Sequence, residues 1–118
     1  MSIISSLTTL WSDRITRAGW LVSLSLIAAL IVLLVWFIPP STGAQALHYN
    51  IYFGIDLFGP GRALWLHPTA AGLVLIINSC VAVLALERQV VAARLAVWSA
   101  ALFAAIVLAA TILISLVP

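Results

Sequence analysis

Three stretches of this chain, 20–38, 70–86 and 95–117, contain no charged side chain. A hydrocarbon layer about 30 Å thick takes roughly 20 apolar helical residues to cross. Inside that layer every backbone amide must find its hydrogen bond within a helix or a closed barrel. Three such runs therefore predict an all-α membrane protein with three transmembrane helices. Hydrophobic residues make up 65% of the sequence and charged residues 7%, against about 25% charged in a soluble domain. A soluble monomer of this composition would expose large apolar patches. The reading is a single membrane domain over 1–118, with an interfacial helix at 2–16, spans at 18–38, 68–86 and 90–117, and an outward connection at 39–67.

The arginines set the expected orientation. Arg14 and Arg17 precede the first run, Arg88 and Arg94 lie between the second and third, and Arg62 alone lies in the connection between the first and second. Positive residues near span ends are held on the cytoplasmic side. The N-terminus is thus expected inside, and the connection at 39–67 and the C-terminus outside. Trp11, Trp20, Trp36, Trp65 and Trp98 all fall near expected span ends. Indole rings favour the headgroup level, having an apolar body and one polar edge. A cleaved signal peptide is the weaker alternative. Ala44-Gln45-Ala46 has the small-x-small pattern, but the preceding run is longer than the roughly 7–15 residues of a signal core.

Several function classes drop out on chemistry. A net charge of +2 from five arginines gives no basic face for nucleic acid. Cys80, the single cysteine, cannot form an internal disulfide. His48, Asp56 and His67 match no metal-ligand spacing. A hydrolase needs a nucleophile and a base at one depth, and the charge-free runs hold serines but no histidine. The expectation is no enzyme, no cofactor and no metal.

The N-terminal segment has two faces. At 100° per residue, Ile3, Ile4, Leu7, Leu10, Trp11 and Ile15 share one arc, and Ser, Thr and Asp13 fill the rest. This suits a helix lying in the membrane interface, held by apolar burial more than by charge. In the third span, Ala92, Ala96, Ala100 and Ala104 recur every four residues. Small stripes let helix backbones approach closely in lipid. Ala71, Asn78, Ala82 and Ala85 offer a counterpart on the second span, and the short turn around Arg88 predicts an antiparallel hairpin. Asn78 is the most polar side chain at membrane depth, and interhelical hydrogen bonding is its expected use, with Ser79, Ser25 and Ser99 near the same level. The part of the alanine surface around Ala101, Ala105 and Ala109 is expected to face lipid in a lone chain and to be covered by a second copy or another subunit.

The outward connection holds the least ordinary residues. Pro39-Pro40 ends the first helix. Leu47, Tyr49, Ile51 and Phe53 then alternate with His48, Asn50 and Tyr52, a strand pattern over 47–53. Gly59-Pro60-Gly61 reads as a turn, Asp56 and Arg62 as a pair closing it, and Pro68 as a first-turn residue of the second span. An aromatic segment of this kind is expected to be ordered across the helix ends, with Tyr49 buried. The block Leu47-His48-Tyr49-Asn50-Ile51-Tyr52-Phe53-Gly54-Ile55-Asp56, followed by Gly59-Pro60 and two more spans, resembles a family of short uncharacterised bacterial membrane proteins that share this block after their first span. The resemblance covers roughly 40–117 and is specific at the block. Where that family carries aromatic residues after the Gly-Pro, this chain has Gly61-Arg62. The resemblance implies architecture and a bacterial inner membrane, and it implies no catalytic residue.

Two function classes follow. The first is a non-catalytic membrane subunit that assembles with itself or with a larger complex. The second is a small oligomeric transporter or channel, which needs polar residues along one helix face; Asn78, Ser79, Ser99, Thr111 and Ser115 lie at scattered angles instead. The residues expected to make contacts are His48, Tyr49, Asn50, Tyr52, Asp56 and Arg62 in the connection, and Asn78, Ala100, Ala101, Ala104 and Ala105 in the spans.

Overall fold

A computed structural model describes residues 2–37, 44–50, 54–60 and 64–116, with side chains over 2–36 and 64–114. Four helices and one two-stranded ribbon make up the described chain. Helix α1 (Ile3–Ser12) starts at Ser2, whose hydroxyl oxygen accepts from the Ser5 amide. Its hydroxyl side chains donate back to carbonyls four residues earlier: Thr8 to Ile4, Thr9 to Ser5, Ser12 to Thr8. The face that looks polar in sequence is thus largely self-satisfied, which lowers the cost of bringing it near lipid.

Asp13 breaks the helix with one extended residue, φ −76° and ψ 119°. Its carboxylate accepts from the Thr16 amide at 3.0 Å, so it caps the helix that follows. Helix α2 (Arg14–Phe37) therefore begins four residues before the expected start of the first span, and the N-terminal helix ends at Ser12 instead of residue 16. A side chain that caps the next helix cannot sit mid-way in a continuous one.

Helix α3 (Leu66–Leu86) carries Pro68 in its first turn, where the missing amide has no intrahelical partner anyway. A tight turn follows, with the Arg88 and Gln89 amides both donating to the Ala85 carbonyl. Helix α4 (Val90–Leu116) runs back antiparallel to α3. At 24, 21 and 27 residues, α2, α3 and α4 are about 36, 32 and 40 Å long at 1.5 Å per residue. All three are long and apolar enough to cross a membrane. Helix α3 is apolar all round, yet only 11% of its most apolar stretch is buried within the chain. A helix of that kind needs a hydrocarbon surround.

Helix α4 is the central one. It packs along both α2 and α3, which touch each other little. Two apolar clusters mark its ends. Near α1, Leu10, Ala82, Ala93 and Val97 are buried together, with Trp20 and Leu86 against them. At the other end, Leu34, Leu64 and Ile114 are buried with Trp65 against them.

The connection between α2 and α3 is a hairpin ribbon, not one strand. Strand β1 (Ala44–Asn50) pairs antiparallel with β2 (Gly54–Pro60), from Ala44 opposite Pro60 to Asn50 opposite Gly54. The register shifts between Ala46 and His48 and again between His48 and Tyr49. Of the strand expected over 47–53, residues 47–50 lie in β1 and 51–53 lie outside the described residues. Gly59 and Pro60, expected in a turn, lie in β2 opposite Gln45 and Ala44. Proline is tolerated there because it stands at the end of an edge strand. A two-stranded ribbon is marginal by itself; β1 runs beside α4.

Candidate functional site

The densest set of polar contacts ties α1, α2, α3 and α4 together at the α1 end. Asp13 stands at its centre. Arg94 Nη2 donates to Asp13 Oδ1 at 2.8 Å, and Arg94 Nε donates to Oδ2 at 3.1 Å. This is the two-pronged arrangement a guanidinium makes best. Thr16 adds its hydroxyl to Oδ2 at 2.7 Å, beside the amide already described. The Arg94 hydrogen bonds, then those of Thr16, hold the Asp13 carboxyl well below the usual carboxylate range, against a smaller upward push from burial. One side chain thus ends α1, caps α2 and binds α4.

Around this clamp, indole N–H groups act as ties between helices. Trp98 Nε1 donates to the Ile15 carbonyl at 2.9 Å, joining α4 to α2. Trp20 Nε1 donates to Ser79 Oγ at 2.9 Å, joining α2 to α3. Trp11 stacks on Trp20 with ring centroids 6.2 Å apart. The close approach of α2 to α4 falls at Gly19, where a Cβ would lie 2.8 Å from Val97 Cγ1 and 3.1 Å from Trp98 Nε1. Asn78 Nδ2 donates to the Ala96 carbonyl at 2.8 Å, joining α3 to α4. Ser25, Ser79 and Ser99 instead donate to carbonyls of their own helices.

A second polar contact lies toward the ribbon end. His67 Nδ1 is 2.7 Å from Thr111 Oγ1, and Thr111 donates to the Val107 carbonyl at 2.8 Å. Where the hydroxyl proton goes to Val107, the tautomer with its proton on His67 Nδ1 completes the contact. Trp65 Nε1 is buried nearby with no hydrogen-bond partner among the described residues.

The residues expected from sequence fare unevenly. His48, Tyr49, Asn50 and Asp56 lie on the ribbon, and Tyr52 and Arg62 lie outside the described residues. The expected burial of Tyr49 and the Asp56–Arg62 pair concern side chains outside the described set. Of the three residues weighed as metal ligands, His67 alone has a described side chain, and it faces Thr111. Ala100, Ala101 and Ala104 are buried within the chain, and Ala105 is half-buried. The expectation that Ala101 faces lipid is therefore corrected. Ala101 is 3% exposed within the single chain, one turn on from the buried Val97. Ala109 is exposed.

Sequence reasoning missed Asp13, Arg94 and Gly19 as a unit. Asp13 with Thr16 three residues on, just before an apolar run, was a helix-start signal; nothing local pointed to Arg94 as its partner. No family model matches the chain, and neither the curated proteins nor the solved structures contain a match to it.

Proposed function

We propose that the chain is a small non-catalytic integral membrane protein, an assembly or accessory subunit, set in a bacterial inner membrane as a possible homo-oligomer or as part of a larger complex. In this reading α1 lies in the cytoplasmic interface, and the ribbon and C-terminus face outward. The observation that carries it is how the polar side chains at membrane depth are used. Asn78, Ser79, Trp20, Ser23, Ser25, Ser99 and Thr111 each have a hydrogen-bond partner inside the chain. Each of these groups spends at least one hydrogen bond inside the chain, which leaves a path through one chain little to line it. The interfacial placement of α1 is supported by its exposed apolar residues Ile3, Ile4, Leu7 and Trp11. The likeness of the 47–56 block to the short bacterial family agrees with this architecture and adds no activity.

With Ala101 covered, the exposed surface α4 offers a partner includes Leu95, Leu102, Ile106, Ala109 and Leu113. Isolation from native membranes in mild detergent, followed by mass spectrometry, is expected to bring down a stoichiometric partner or a second copy. A chain that emerges alone and monomeric at high density in nanodiscs defeats the subunit reading. Orientation has its own test. In a Cys80→Ser background, Gln89→Cys should react with an impermeant maleimide only from the cytoplasmic face; reaction from outside reverses the assignment.

A further inference from the structure

Helix α1 rests on the bundle along only part of its length. Leu10 is fully buried against Ala82 and Ala93. Toward its start, α1 and α3 leave a groove of about 300 Å³ lined by Ile3, Leu7, Ser79, Cys80, Val83 and Leu84. Five of these six side chains offer carbon or sulfur. The sixth, Ser79, already donates to the Leu75 carbonyl and accepts from Trp20. The groove therefore presents no free hydrogen-bonding group, and what fills it must be hydrocarbon.

Depth narrows the occupant. Cys80 lies six residues before the end of α3 at Leu86, which is about 9 Å at 1.5 Å per residue. That is where acyl chains begin below the headgroups. Charge narrows it further. Leu84 lines the groove, and Arg88 follows it four residues on, in the turn at the groove's interfacial end. Arg94 is neutralised by Asp13 and Glu87 has a partner of its own, whereas Arg88 makes no ion pair with a described residue. An unpaired cation one helical turn beyond Leu84, at the end of a hydrocarbon slot, matches a ligand with a negative head and an apolar tail.

We infer that the groove between α1 and α3 binds one acyl chain of an anionic phospholipid, with its phosphate at the Arg88 end. This site concerns lipid and stands whether or not the chain has a protein partner. The test uses the full chain in phosphatidylcholine nanodiscs containing a trace of lipid with a diazirine in its acyl chain, as phosphatidylglycerol in one arm and phosphatidylcholine in the other. After irradiation, adducts are mapped by peptide mass spectrometry. Adducts should concentrate on Ile3, Leu7 and 79–84, with the phosphatidylglycerol probe at least about fivefold ahead, the factor expected from one engaged arginine. Arg88→Gln should bring the two probes closer while leaving the labelled positions unchanged. Val83→Trp should fill the groove and cut labelling at Leu84 about tenfold. The wild-type map decides the matter even where a variant does not fold. Adducts spread equally over the exposed residues Val32 and Leu102, or equal capture of the two probes in the groove, overturn the assignment.

Discussion

Asp13→Ala should loosen α1 from the bundle while leaving the three long helices paired. Two contributions are lost together. Removing the cap of α2 costs about 0.5–2 kcal/mol. Removing the carboxylate also strips Arg94 of both its hydrogen bonds. Asp13→Asn separates the two, because asparagine caps a helix about as well as aspartate but carries no charge. Hydrogen exchange over 3–12 reads the result: fastest in the alanine variant, intermediate in the asparagine variant, slowest in the wild type. Exposed ion pairs are worth little, but here the carboxylate and guanidinium are only 18% and 32% exposed and meet at two points.

The pH dependence of this contact has a definite sign. Arg94 and Thr16 hold the folded-state pKa of Asp13 below the ordinary value of 3.8. The unfolded chain then binds the proton more readily, so the stability from this group is fully present above about pH 4 and is lost as pH falls through the depressed folded value. Protection of α1 should be flat from pH 7 down to about 4 and decline below it. The asparagine variant should show no such decline. A wild-type loss already complete near pH 5 contradicts the assignment of Asp13 as the titrating group.

Gly19→Leu should cause the larger loss, and in the bundle itself. A Cβ at this position already comes within 2.8 Å of Val97 Cγ1, a β-branched side chain with little rotamer freedom. Trp98, the other neighbour, is held by its bond to the Ile15 carbonyl. Neither wall can retreat easily, so α2 must move off α4. Overpacking of this kind costs about 1–3 kcal/mol, occasionally more, and close approach is the main attraction between helices in lipid. An SDS unfolding titration followed by tryptophan fluorescence should show the midpoint falling sharply. Gly19→Ala should do much less, because roughly 1 kcal/mol of helix propensity offsets part of the squeeze. A leucine variant as stable as the wild type is incompatible with the crossing placed at Gly19.

What could be read from the sequence follows the range of each interaction. Charge-free runs report the three long apolar helices directly, because burial in lipid acts on each residue alone. The hairpin turn at 87–89 was legible because α3 and α4 are sequence neighbours. Asn78 declared itself as an amide in an apolar run, though not that Ala96 would receive its proton. The Asp13–Arg94 clamp was not legible, since it joins residues 81 positions apart. Gly19 is equally silent: a glycine in a span signals a close approach only once the neighbouring helix is known. The ribbon was half read. Its β-branched and aromatic content marked extended chain, but the register shifts around His48 come from pairing with β2, which alternation in one strand does not encode. The central place of α4 was misjudged for a similar reason. Its alanines serve two neighbours, and a helix wheel does not say how many neighbours there are.

The clamp at Asp13 also bears on the order in which the protein is made. Asp13 leaves the ribosome early, but Arg94, which holds it, is synthesised 81 residues later. Until α4 appears, α2 lacks both the helix it packs along and the tie to Trp98. The N-terminal helix therefore lacks its Arg94 contact until the last helix has been made. The Asp13–Arg94 clamp becomes a late step of assembly, one that a chain lacking α4 cannot take. A chain with α1 still undocked leaves the Asp13 carboxylate and the Arg94 guanidinium without each other.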